Sequence, residues 1–154
     1  MYLQHAYGTG IMTTQQAVIF FVMSLALVRI SLNDIRDRII THRSLLCLFF
    51  LVVSYLFMGS QPPNIIAGAL FLVVGFVIFS LGVTGGGDVK LISILALAVP
   101  DGKVFPFILL TAWMGGGVAI TGLLFFARDV RKRGVPYGVG IALSFIVLQF
   151  SQLI

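Results

Sequence analysis

The chain is 154 residues long, 59% hydrophobic and only 10% charged, with a mean hydropathy of +1.10. A soluble domain of this size needs far more charge to cover its surface, so the composition excludes one and points to a polytopic membrane protein with a single domain over 1–154. The net charge of +5 does not point to nucleic acid, because the basic residues fall in short clusters between apolar runs, the pattern of loops anchored at an anionic leaflet.

Six apolar segments are predicted, at roughly 15–33, 44–59, 64–83, 88–100, 104–127 and 136–153, giving an all-α membrane bundle of about six transmembrane helices. The stretch from Met1 to Gln16 is polar but lacks Lys and Arg, and the run after it ends in Arg29 rather than in small residues. That polarity is wrong for a secretory signal and predicts a retained first helix. A span needs about 20 residues for a hydrocarbon core of about 30 Å, so the short second and fourth segments tilt or thin the bilayer. The second carries Cys47, the single cysteine, which excludes an intrachain disulfide or a multi-cysteine zinc site and reads as a small core residue. Pro62-Pro63-Asn64 and Pro100-Asp101-Gly102 are turn signals between antiparallel neighbours. Gly115-Gly116-Gly117 and Gly122, inside the fifth segment, predict close helix packing.

The loops set the orientation. Arg29, Arg36, Arg38, Arg43, Lys90, Arg128, Arg131, Lys132 and Arg133 fall on one side and only Lys103 on the other. Positive residues stay cytoplasmic, so both termini face outward and the Asp34 and Asp88 loops face the cytoplasm.

All five acidic residues are aspartates. Asp88 follows Gly85-Gly86-Gly87 and stands twelve residues before Pro100, about 18 Å along a helix. Measured from an outer boundary at Pro100, that puts it on the order of 10 Å inside the cytoplasmic edge, where Asp88 and Lys90 must line a water-accessible cavity. The glycines have two readings: an irregular, cavity-lining backbone that admits an extended peptide, or a plain turn with Asp88 capping the fourth helix. Asp34 is the best partner for Asp88. Two carboxylates brought face to face resist double ionisation, so one keeps a proton while the other activates water. Asp37, flanked by Arg36 and Arg38, reads as a salt-bridge partner, and the bland reading of Asp34 is a similar loop charge. Asp101 is on the opposite side, and Asp129 sits among the basic residues at 128–133. Lys90 either snorkels to the interface or tunes the dyad; His42 and Arg43 read as interfacial, and His5 is on the wrong side. No serine-, zinc- or glutamate-protease signature is present, so neither a metal nor a cofactor is implied.

Three motifs together resemble the type IV prepilin peptidases, in the short form of Tad/Flp pilus systems. Asp34-Ile35-Arg36-Asp37-Arg38-Ile39-Ile40 resembles the family's Asp-Leu-Arg segment, and Gly85-Gly86-Gly87-Asp88-Val89-Lys90 matches its Gly-x-Gly-Asp-x-Lys core. Val135-Pro136-Tyr137-Gly138 resembles the start of its last helix. The resemblance implies that Asp34 and Asp88 are the catalytic pair of a membrane aspartic endopeptidase. Its substrate would be the basic leader of a prepilin, cut at the cytoplasmic face of the bacterial inner membrane, with Gly85, Gly86, Gly87 and Lys90 shaping the site. Partners are then the prepilin, the lipid bilayer and the pilus assembly machinery. Thr41-His42 stands where the family usually has Pro-Asn. The first loop of about ten residues and the lone Cys47 lack the paired-cysteine region of the bifunctional members, which implies a peptidase without N-methyltransferase activity. Two other classes compete: an ion- or proton-coupled transporter using Asp88 and Lys90 as a relay, and a noncatalytic membrane subunit of a pilus or secretion assembly.

Overall fold

The computed structural model of the protein describes residues 14–37, 39–59 and 61–151. Each predicted apolar segment seats one helix: α1 (Thr14–Asp37), α2 (His42–Met58), α3 (Ile65–Ser80), α4 (Gly86–Ala96), α5 (Val104–Arg133) and α6 (Tyr137–Phe150). Both turn signals fall between helices, and a short 3₁₀ turn, Asp101–Lys103, leads into α5. Asn64 starts α3 by accepting the Ala67 N–H at 3.0 Å, a side-chain cap. Gly82 and Gly134 follow α3 and α5 with φ of 73° and 85°, a conformation open to residues without a Cβ.

Contacts join α1 to α2, α2 to α4, α4 to α6 and α6 back to α1. These four helices close a ring around the core, and α3 and α5 lean on it from outside, α3 on α4 and α5 on α6. Burial follows this division. α6 buries residues on most of its circumference, whereas α3 buries only Ala67 and Gly68 and leaves Ile66, Phe76 and Val77 exposed. Exposed apolar faces of this extent suit lipid rather than water. Two helical stretches, Thr14–Asp37 and Asp101–Phe125, are long and apolar enough to cross a membrane; α2, α3 and α6 are shorter apolar helices.

Glycines bring the outer helices close to the ring. A Cβ at Gly75 would lie 2.7 Å from Val89 Cγ1, and one at Gly140 would lie 2.6 Å from the Gly115 Cα, so α3 meets α4 and α5 meets α6 at short range. Of the consecutive α5 glycines, Gly115 takes the expected packing role, whereas Gly116 and Gly117 face open space. Cys47 also departs from expectation: it is exposed on α2, because the core stripe of that helix runs through Leu45, Leu48 and Val52. An edge-to-face aromatic chain ties the outer helices together, Phe71 to Phe107 at 5.9 Å and Phe107 to Phe145 at 6.4 Å between ring centroids.

Candidate active site

Asp34 is placed by the core stripe of α1. The buried positions there are Gln16, Phe20, Met23, Leu27, Ile30 and Asp34, alternating steps of four and three that trace one helix face. Asp34 closes that stripe and is only 6% exposed. The next step would be Asp37, but α1 ends there and Asp37 is exposed. Arg36 is exposed as well; Arg38 and His5 lie outside the described residues, as do the side chains of Asp129 and the basic cluster at 128–133.

The Asp34 Oδ2 accepts the Gly138 N–H at 3.0 Å. Helix α6 starts after Pro136, an N-cap residue that makes no side-chain cap bond, so its first amides need an acceptor from elsewhere. The carboxylate arrives from α1 and meets the positive end of the α6 dipole. Gly138 is required by space: a Cβ there would lie 2.8 Å from Asp34 Oδ2 and 3.2 Å from Ile40 Cδ1.

Asp88 is the third residue of α4, whose N-cap is Gly85. Its N–H donates to the Gly85 carbonyl at 3.1 Å, and its carboxylate accepts from the Gly85 backbone N–H, the reach-back half of a capping box. A Cβ on Gly85 would crowd Asp88 Oδ2 at 3.1 Å. The other oxygen, Oδ1, is buried without a hydrogen-bond partner, a rare state for a buried carboxylate oxygen. Asp88 lines a cavity of about 390 Å³ together with Phe71, Gly75, Thr84, Thr111 and Tyr137. That cavity is lined by residues of α3, α4, α5 and α6, with Phe71 of the aromatic chain as one wall.

The two aspartates belong to one end of the bundle. The charge of Asp34 acts on the Asp88 carboxyl, and Ile40 bridges the helix starts that hold them. Its side chain would meet a Cβ on Gly87 at 3.0 Å and one on Gly138 at 3.2 Å. Of the glycine triplet, Gly86 and Gly87 already belong to the first turn of α4, and the irregular backbone runs from 81 to 85 instead. The reason is Asp88 itself, which caps the helix from its third position and so lets it begin at Gly86.

Lys90 does not join the pair. It lies two residues further on, about 200° around the helix, and lines a different cavity with His42. Its position is the flank of α4 opposite Asp88. Sequence reasoning assigns no role to Ile40, Tyr137 or Gly138. The signal for the last is a proline at a helix start, which cannot cap with its own side chain, followed closely by glycine.

Residues 19–120, about two thirds of the chain, match the family model of the type IV leader peptidase family. The matched stretch contains both aspartates and ends before α6. No curated protein and no solved structure matches the chain.

Proposed function

The chain belongs to the type IV leader peptidase family, and we propose that it is a membrane aspartic endopeptidase with Asp34 and Asp88 as its catalytic pair. Its substrate is a type IV, Flp-like prepilin, whose leader it removes at the cytoplasmic face of the bacterial inner membrane. The observation that carries this reading is the Asp88 carboxylate: one oxygen buried and unpartnered, on a residue that lines a cavity and lies within electrostatic reach of a second carboxylate.

In this mechanism the pair holds one proton. The ionised carboxylate takes a proton from water as the water oxygen attacks the scissile carbonyl carbon, and the protonated carboxyl gives its proton to the carbonyl oxygen. The tetrahedral intermediate collapses and the C–N bond breaks: the departing amine takes up the proton first drawn from water, and one hydroxyl of the intermediate returns its proton to the other aspartate. The Gly138 amide fixes one oxygen of Asp34 and the Gly85 amide one oxygen of Asp88, which leaves Asp88 Oδ1 for water and substrate. Neither a metal nor a covalent intermediate is required.

The apolar helix of the precursor would lie along the exposed flanks of α3 and α5, with its leader end at the aspartates. The clustering of nine of the ten Lys and Arg residues on the aspartate side supports a cytoplasmic site and outward termini. The single cysteine and the short connection between α1 and α2 support cleavage without N-methylation.

The test is co-expression with a pilin-like precursor, with leader removal read by a gel shift. Wild type cleaves, whereas Asp34→Ala and Asp88→Ala each accumulate uncut precursor at normal membrane levels of the peptidase. Precursor left uncut by wild type, or cut by both alanine variants, sinks the proposal.

A further inference from the structure

On the flank of α4 opposite Asp88 lies a second cavity, of about 670 Å³, between α2 and α3. Its walls are Leu45 and Phe49 of α2 and Ala69 and Leu72 of α3, and its floor is Ser93 and Leu97 of α4. The Ser93 hydroxyl is occupied internally, donating to the Val89 carbonyl at 2.7 Å, so the groove offers an apolar surface along its length. Gly68 lets α3 sit close on α4 beside the floor: a Cβ there would lie 2.6 Å from Leu97 Cδ2. The volume is within the roughly 300–1,000 Å³ of small-molecule sites.

The basic side chains of the groove are gathered at one end. His42, the first residue of α2, and Lys90, in the second turn of α4, stand at its mouth, with Arg43 exposed beside them. The N-cap of α2, Thr41, makes no side-chain cap bond and pairs with the Ser44 hydroxyl at 2.8 Å, so the first amides of α2 also point an uncompensated positive end at the mouth. From Lys90 the groove runs seven residues to Leu97, about 10 Å into the apolar layer. An apolar trough with a cationic mouth fits a molecule with an anionic head and hydrocarbon tails.

We propose that this groove is a binding site for one anionic phospholipid, its phosphate at Lys90, His42 and the start of α2, and its acyl chains between α2 and α3. The inference rests on the membrane orientation proposed above, which places the mouth at the cytoplasmic leaflet. A basic leader peptide is repelled by the same mouth, so charge assigns the α2–α3 groove to lipid and leaves the aspartate cavity to the substrate. It also gives Lys90 an occupation away from the dyad.

The test uses the purified full chain, exchanged into nanodiscs of equal parts phosphatidylglycerol and phosphatidylcholine and then released for native mass spectrometry. Wild type retains one phosphatidylglycerol in preference to phosphatidylcholine. Lys90→Gln lowers that preference roughly fivefold, the effect expected of one surface charge. Ala69→Phe fills the trough while leaving both basic groups and abolishes retention. Equal retention of the two lipids by wild type, or unchanged retention in both variants, overturns the proposal, as does a second copy of the chain cross-linked through the groove. Asp88→Asn is run in parallel: selectivity preserved there while leader cleavage is lost supports the lipid site independently of the peptidase reading.

Discussion

The two ends of the bundle handle the same kind of group in opposite ways. At the far end, Asp101 and Asn64 lie in neighbouring turns and satisfy each other: the Asn64 amide donates to Asp101 at 2.8 Å and to the Val99 carbonyl at 2.9 Å, while its oxygen caps α3. Gln149 joins them from α6 by donating to the Ala98 carbonyl and pairing with Tyr55. At the aspartate end, Asp34 and Asp88 also cap helices, α6 and α4, yet one buried oxygen has no partner. A satisfied polar network fixes structure, whereas an unsatisfied buried carboxylate is tolerated where chemistry needs it. The far end is a fastening, and the aspartate end is a fastening left partly open.

The largest effect comes from closing that opening. Asp88→Asn keeps the shape and the reach-back acceptor but removes the proposed acid–base group, and a drop of about 10³-fold or more in leader cleavage is expected from losing one member of a proton-transfer pair. Asp34→Asn does the same, with the Gly138 contact preserved through its amide oxygen. Asp34→Glu and Asp88→Glu probe geometry: one added methylene moves each carboxyl by more than an ångström, so a dyad that positions one water loses about 10²-fold or more. A proton relay would keep most of its activity in the glutamate variants, and retained activity there breaks the contrast between the two ends. Asp101→Ala leaves cleavage per folded molecule unchanged.

Gly138→Ala comes next. Its new Cβ would stand 2.8 Å from Asp34 Oδ2, and Ile40 Cδ1 at 3.2 Å obstructs the other way out. Asp34 must shift, so kcat falls by about 10²-fold while KM changes little. The measurement is single-turnover cleavage of a synthetic precursor peptide in detergent. A normal kcat would show that Asp34 works without its clamp on α6.

Much of this contrast was legible in the residues, and the remainder depended on tertiary contacts. The six helices follow from apolar run length, and Asp34 and Asp88 stand out because carboxylates are scarce in an apolar chain. The choice of Asp34 over Asp37 lies in the α1 stripe only once the helix end is fixed, because the same spacing continues to both. The separation of Lys90 from Asp88 needs only helical geometry, since residues two apart face away from each other. By contrast, the bond from Gly138 to Asp34 spans 104 positions in sequence, and no local pattern announces it. Cys47 reads as core by composition and is exposed in the fold, because in a membrane chain apolar surroundings in sequence do not distinguish core from lipid.

The smallest effect tests the far end on its own terms. Asn64→Leu deletes three hydrogen bonds at once: the α3 cap, the link to Val99 and the link to Asp101. Loss of a cap costs about 1 kcal/mol, and leaving the part-buried Val99 carbonyl without its donor adds roughly 1–3 kcal/mol. Some of this is recovered, because Asp101 is exposed and water can replace its lost donor. A net destabilisation of about 2 kcal/mol is therefore expected by thermal unfolding in detergent, with cleavage per folded molecule unchanged. The far end reaches the aspartates only through the lengths of the helices, so a change in kcat in Asn64→Leu would mean that the helices transmit strain between the ends. The division into a fastened end and a working end would then give way to a single coupled bundle.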